Sequence, residues 1–114
     1  MPARNTGAKK ARQKGANQDP VKVDSKHYQV ELENDRIRVL RVRYGPNEKS
    51  VMHGHPPTVL VCLTDFNAKF TLPAGKMLER QGKAGETAWM AAEEHLPENL
   101  GDKPLELILV ELKS

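Results

Sequence analysis

The residues best suited to chemistry in this 114-residue chain are its four histidines, His27, His53, His55 and His95. Two of them stand one residue apart in Met52-His53-Gly54-His55-Pro56-Pro57, just ahead of the apolar run Thr58-Val59-Leu60-Val61-Cys62-Leu63. Side chains alternate along a strand, so His53 and His55 project from the same face if this segment is extended. Two imidazoles on one face are half of a metal site. The competing reading is a hydrogen-bonded pair on a strand edge. His95 follows 40 residues after His55, in Glu94-His95-Leu96-Pro97-Glu98-Asn99. In a barrel, strands that far apart in sequence can face one another across the interior.

The elements that must hold these side chains read as strands. Tyr28, Val30 and Leu32 alternate with His27, Gln29, Glu31 and Glu33, a half-buried strand by its period of two. After the turn pair Asn34-Asp35, residues 37–44 alternate again and stop at Gly45-Pro46-Asn47, a strong breaker. Ser50 to His55 reads as the strand carrying the histidines, and Pro56-Pro57 interrupts it. Thr58 to Thr64 is nearly continuously apolar and β-branched, the pattern of a strand buried on both faces. Asp65-Phe66-Asn67 is turn-like, and Pro73-Ala74-Gly75 suits a bulged hairpin between Lys69–Leu72 and Met77–Gln81. A strand over Glu86–Met90 carries Trp89. Ala91-Ala92-Glu93-Glu94 has helix propensity but is too short to persist. Pro104 to Leu112 closes the chain as a long apolar strand. Eight or nine short strands and no helix predict an all-β sandwich or barrel of about 95 residues.

Charge is spread unevenly. The chain carries 18 Lys and Arg against 15 Asp and Glu, a net charge of +3. Residues 1–19 hold five basic residues against Asp19 alone, a net +4, so the remainder is close to neutral at −1. Residues 1–19 also lack apolar residues larger than Ala after Met1, and such a segment cannot bury enough surface to offset its ordering entropy. The expectation is a disordered basic tail over 1–19 and one β-domain over 20–114. No aromatic interleaves the tail's charges as a stacking site for nucleic acid would require, so a solubilising tail is favoured over a nucleic-acid contact. Cys62 is the single cysteine, which excludes an intrachain disulfide and a cysteine-based zinc motif. No apolar run reaches the roughly 20 residues of a membrane helix, and no apolar region follows the basic N-terminus as in a secretory signal. These features point to a cytoplasmic protein that does not engage a membrane.

The order Gly45, His53-x-His55, a turn-rich middle, Gly85, Trp89, His95 and Asn99 resembles the two motifs of the cupin superfamily, and in particular its small single-domain members. The resemblance spans about residues 20 to 113 and implies a jelly-roll β-barrel. It implies His53, His55 and His95 as three histidine ligands of a metal. The family's usual fourth ligand is a glutamate four or five residues after the second histidine, where this chain has Val59 and Leu60. Phe66-Asn67 stand where the first motif ends in glycine, and Ala91 and Glu93 replace the Pro and Gly of the second. Glu93 or Glu94 is a candidate replacement for the missing acid.

Three neutral imidazoles suit a divalent transition metal, with Zn, Fe, Ni, Mn and Cu not distinguishable by ligand softness. Such a set leaves positions open for water or substrate. The neighbours expected around the ligands are Val51, Val59, Val61, Phe70, Trp89 and Met90, and one of Arg38, Arg41 and Arg43 is a candidate to point inward and hold a carboxylate. Cys62 and Tyr44 attract notice because three-histidine cupins that resemble thiol dioxygenases use thiol chemistry near iron; a buried structural role is the competing reading for Cys62. Two functions follow. One is a metal-binding cupin that takes a small-molecule ligand and carries out metal-assisted chemistry of dioxygenase or isomerase type, with catalytic residues beyond the ligands unassigned. The other is a non-catalytic binding or interaction module with a degenerate metal site. Long apolar strands in so small a barrel can also pair with a second copy, which makes a homodimer the expected assembly.

Overall fold

The computed structural model describes residues 18–114. Nine strands account for most of them: β1 (Tyr28–Glu33), β2 (Ile37–Tyr44), β3 (His53–His55), β4 (Thr58–Cys62), β5 (Phe66–Thr71), β6 (Met77–Gly82), β7 (Thr87–Met90), β8 (Glu93–Asn99) and β9 (Leu105–Leu112). They form two antiparallel sheets, one of five strands in the order β1-β2-β9-β4-β7 and one of four in the order β3-β8-β5-β6. From β2 onward the chain repeatedly crosses from one sheet to the other, which winds the strands into a jelly roll.

The core lies between the sheets and follows from alternation. On the five-stranded sheet, Leu40, Val42 and Tyr44 of β2, Leu105, Leu107 and Leu109 of β9, and Leu60 and Cys62 of β4 all point inward and are buried. Ala68 and Phe70 of β5 answer them from the other sheet. The turns obey local chemistry. The Asn34 side-chain oxygen accepts from the backbone N–H groups of Arg36 and Ile37 and closes the β1–β2 hairpin. Gly75 takes a positive φ of 93° at the β5–β6 turn, where a β-carbon would be strained.

Several expectations are corrected. The strand read over Ser50–His55 is confined to His53–His55, and β5 already begins at Phe66 in the stretch read as a turn. A short helix, α1 (Pro20–Val23), was not expected; Asp19 caps it by accepting from the Val21 N–H at 2.9 Å, and Pro20 supplies a preset first-turn φ. Strand β4 is not buried on both faces: Thr58, Leu60 and Cys62 are covered, while Val59 and Val61 are only half-buried. The tail expected over residues 1–19 falls outside the described residues as far as residue 17. Its last two residues are tied to the fold, with the Gln18 carbonyl accepting from the Gly54 N–H at 2.9 Å and Asp19 paired with Arg38 at 2.9 Å. Among the described residues, no helix is long and apolar enough to cross a membrane.

Candidate metal centre

Strands β3 and β8 build the site between them. They pair antiparallel with His53 opposite His95 and His55 opposite Glu93. Directly opposed residues share a face, so one short ladder gathers His53, His55 and His95 on the interior side of the sheet. His95 therefore does not reach across the barrel, as the long sequence separation suggested, but stands beside His53 on the next strand. The three rings form a nearly even triangle, with centroids 4.9, 5.0 and 5.1 Å apart. All three are buried, and one ligand-capable atom from each lies within 4.8 Å of the others.

Each ring is anchored through Nδ1. His53 Nδ1 lies 2.9 Å from the Val51 carbonyl oxygen, with the Ser50 hydroxyl 3.2 Å away. His55 Nδ1 lies 2.7 Å from Glu111 Oε2, and His95 Nδ1 lies 2.9 Å from Glu93 Oε1. Carbonyls and carboxylates only accept, so each Nδ1 carries the proton and each Nε2 keeps its lone pair. Carboxylate or carbonyl oxygens behind metal-binding histidines have this effect of setting the tautomer and ring orientation. His53 Nε2 is buried and has no hydrogen-bond partner among the described residues. An orphaned buried nitrogen of this kind costs free energy and calls for an explanation.

Electrostatics agree with a neutral donor set. Burial, reinforced by the neighbouring imidazoles, pushes His53 down to about 2, and burial lowers His95 to about 4 against the opposing pull of Glu93. Both rings are uncharged at neutral pH, as ligation requires. The His95 ring and the Arg80 guanidinium hold the Glu93 carboxyl down to about 2, so it is ionised. Three imidazoles with anchored rings and free Nε2 atoms fit a divalent transition metal, and this cluster is capable of chelating one.

The supporting carboxylates are what sequence reasoning missed. Glu111 projects from β9 in the opposite sheet and is buried, and Arg38 holds its other oxygen at 2.8–2.9 Å while also gripping Asp19. A signal existed: Glu111 falls in register with the inward Leu105, Leu107 and Leu109, where a charge needs a partner. Arg38 does point inward and hold carboxylates, as expected of one of the three arginines, but they are the protein's own. Arg41 and Arg43 instead pair with Glu31 and Glu106 on the outer face. Glu93 does not fill the place of the family's acid. Its oxygens are engaged by His95 Nδ1 and by both Arg80 nitrogens at 2.8 and 2.9 Å, on the far side of the ring from Nε2.

The lining also differs from expectation. Phe70 packs on His95 at 4.9 Å, and with Met90 and Leu60 it walls an interior cavity of about 30 Å³ beside His55 and His95. That is room for about one water molecule. Val59 and Val61 face outward, and Val51 and Trp89 are exposed; the Pro56-Pro57 break reverses which parity points inward after His55. Leu60, Phe70 and Met90 also floor an open groove of about 460 Å³ between the edges of β6 and β7, with Arg80 and Glu93 on its rim. Tyr28 sets its ring edge against His53 at 4.8 Å and exchanges a 2.7 Å hydrogen bond with Tyr44, whose hydroxyl is pushed up by burial. Cys62 belongs to the hydrophobic core, with its thiol raised by burial, so it is kept protonated and poorly reactive. Asn99 is structural: its amide donates to the Gly45 and Lys103 carbonyls and its oxygen accepts from the Gly101 N–H.

Comparison with known proteins supports this architecture. No protein-family description and no curated protein matches the chain. Solved structures do. A cupin domain from Bordetella pertussis Tohama I superposes with a TM-score of 0.71 at 24% identity, covering 76% of this chain and 92% of that one. An uncharacterized conserved protein with a double-stranded β-helix domain, from Klebsiella pneumoniae subsp. pneumoniae MGH 78578, gives 0.60 at 22% identity over 75% and 74% of the two chains. An RmlC-like cupin family protein from Methanocaldococcus jannaschii gives 0.58 at 17% identity over 78% and 83%.

Proposed function

Given a chain with the cupin fold, we propose that His53, His55 and His95 hold a divalent transition metal through their Nε2 atoms and that a small molecule binds beside it. The observation that carries this reading is the buried His53 Nε2 without a partner, facing two other imidazoles whose Nδ1 atoms are already committed. When bound, such an ion supplies a Lewis acid with open coordination positions. The chain's own residues do the rest. Val51, Glu111 and Glu93 hold the rings in the donor tautomer, and the apolar wall of Leu60, Phe70 and Met90 limits water at the site. The groove between β6 and β7 falls in the size range of small-molecule sites. Leu60, Phe66, Phe70 and Met90 line both this groove and the cavity beside His55 and His95. Cys62, with no second cysteine to pair with, fits the cytoplasmic placement.

The second reading, a non-catalytic binding module, is favoured by one observation: Val59 points outward and Leu60 supplies only hydrocarbon where the family's acid would stand. The two readings share the fold and diverge on chemistry, which the fold itself does not decide. The deciding measurement is metal content after growth and refolding with Zn, Fe, Mn, Ni and Cu in turn. About one equivalent in the wild type, lost in both His53→Ala and His95→Ala, supports the metal centre. A protein that stays metal-free under all five conditions overturns it.

A further inference from the structure

The two sheets present opposite kinds of surface to their surroundings. On the four-stranded sheet the outward positions pair Lys69 with Glu98 and Glu79, Asn67 with Gln81, and Thr71 with Met77. That is an ordinary solvated face. On the five-stranded sheet the registers align Leu32, Val39, Val110, Val59 and Trp89 in one row that crosses all five strands. Leu32 joins this row because a bulge between Val30 and Leu32 turns it to the outer side. Ile37 and Leu112 flank the row on one side, and Ile108 and Val61 on the other. The residues at the ends of the row are among the most exposed apolar side chains described, Leu32 at 52% and Trp89 at 61%.

We infer that this outer face of the five-stranded sheet is the interface on which a second copy of the chain docks. Nothing described covers it, and residues 1–17 contain no Val, Leu, Ile, Phe or Trp with which to do so. Its area suits a dimer: the five strands hold 6, 8, 8, 5 and 4 residues, and at about 4.8 Å between strands and about 3.3 Å rise per residue they give a flat face of roughly 500 Å². Side-chain relief brings this toward the roughly 800 Å² per partner of a standard interface. Its charge suits a copy of itself. The row carries no charge, and the charges beside it are already neutralised within the chain, Arg41 by Glu31 and Glu106 and Arg43 by Glu106. A charged partner gains nothing there, and two copies meet without like-charge repulsion.

Symmetry points the same way. Strand β9 is the central strand, with Val110 at the middle of the row. A two-fold axis along β9 lays β1 of one copy over β7 of the other, so that Leu32 meets the partner's Trp89 at both ends of the row. The apolar run of β4, which is half-buried on its outer side in one copy, becomes covered on both faces in the pair. Sheets packed in this way stand about 10 Å apart with their strands nearly aligned.

Trp89 is the only tryptophan, so its fluorescence reports on this edge of the sheet, and because it also lines the groove between β6 and β7 the measurement is made without added ligand. The full chain should sediment at twice 12.8 kDa at micromolar concentration. On dilution to monomer, Trp89 emission should shift to the red and acrylamide quenching should rise severalfold. Leu32→Lys should give a monomer that keeps the wild-type circular dichroism and shows the exposed emission without dilution. Trp89→Glu should likewise sediment as a monomer, whereas Met77→Glu, equally exposed on the other sheet, should leave the dimer intact. A wild type that is monomeric throughout, with Trp89 fully quenchable, overturns the inference. So does a dimer in which Trp89 stays quenchable and which Leu32→Lys leaves unchanged, since it would assemble through another surface.

Discussion

His27 and the β3–β8 histidines are buried to similar degrees, yet their surroundings assign them opposite roles. His27 Nδ1 lies 2.7 Å from Asp24 Oδ2 and its Nε2 lies 2.9 Å from Glu48 Oε1, while the ring stacks on Tyr44 at 4.3 Å. Both nitrogens already lie against carboxylate oxygens, so neither is left open to a metal. It works as a clamp, joining the segment after α1 to the loop before β3. His53, His55 and His95 each commit one nitrogen and keep one free. The difference lies in how many of the two ring nitrogens the fold has already used. Burial alone does not separate a ligand from a clamp.

The sharpest way to break this contrast is to remove one imidazole from each side. His53→Ala should abolish bound metal, measured by inductively coupled plasma spectrometry, whereas His27→Ala should keep about one equivalent wherever it folds. Loss of metal from His27→Ala with an intact fold would erase the distinction. The next largest effect is on stability. His27→Ala leaves the half-buried Asp24 carboxylate without its ring partner, and a hydrogen bond to a charged group contributes about 1.5–3 kcal/mol. A urea midpoint unchanged from wild type would show that the clamp is not one.

A smaller effect separates anchored donors from unanchored ones. Glu111→Gln and Glu93→Gln should each weaken zinc binding about 10–100-fold, since carboxylates behind ligating histidines contribute that much. Competition with a chromophoric chelator measures it. Equal affinities in wild type and both variants would reduce these carboxylates to packing.

The smallest effect is in pH dependence. His53 and His95 titrate below the unfolded value of 6.5, at about 2 and about 4. Below 6.5 the unfolded chain takes up protons that the folded chain refuses. Stability of chelator-treated protein is therefore fully present above pH 6.5 and falls as the pH drops toward 4, by on the order of 1 kcal/mol per histidine per pH unit. Glu93, lowered from 4.5 to about 2, adds an acid loss of its own only below pH 4.5. Urea midpoints at pH 7.5, 6 and 5 isolate the histidine window. A flat profile across it would mean that these rings are not held neutral.

Much of this architecture could be read from alternation. The strands over residues 28–33, 37–44 and 105–112 stand where period two puts them, because one covered face demands one apolar residue in two. The first departs from the rule inside its bounds, since only Tyr28 is covered and a bulge after Val30 turns Leu32 to the outer side. The His53-Gly54-His55 pair was legible for the same reason. Where legibility failed, the cause was the partner strand. Nothing in the spacing of 40 residues says that His95 is hydrogen-bonded across a ladder from His53 rather than set on the opposite wall. The inward parity after Pro56-Pro57 was misread as well, which put Val59, Val61 and Trp89 at the site instead of on the outer sheet face.

The sequence alone determined which side chains were available: four histidines, three of them at the positions of the resembled motifs, a jelly roll's worth of short strands, and no acid at positions 59 and 60. Only the tertiary structure decided which nitrogen of each ring is free. For His55 that choice rests on Glu111 from the opposite sheet, and for His53 and His95 on acceptors two residues earlier, the Val51 carbonyl and Glu93, which the strand pairing turns toward the rings. Hydrogen bonds of this kind depend on a few tenths of an ångström between strands, and register between strands is a property of the whole packed barrel.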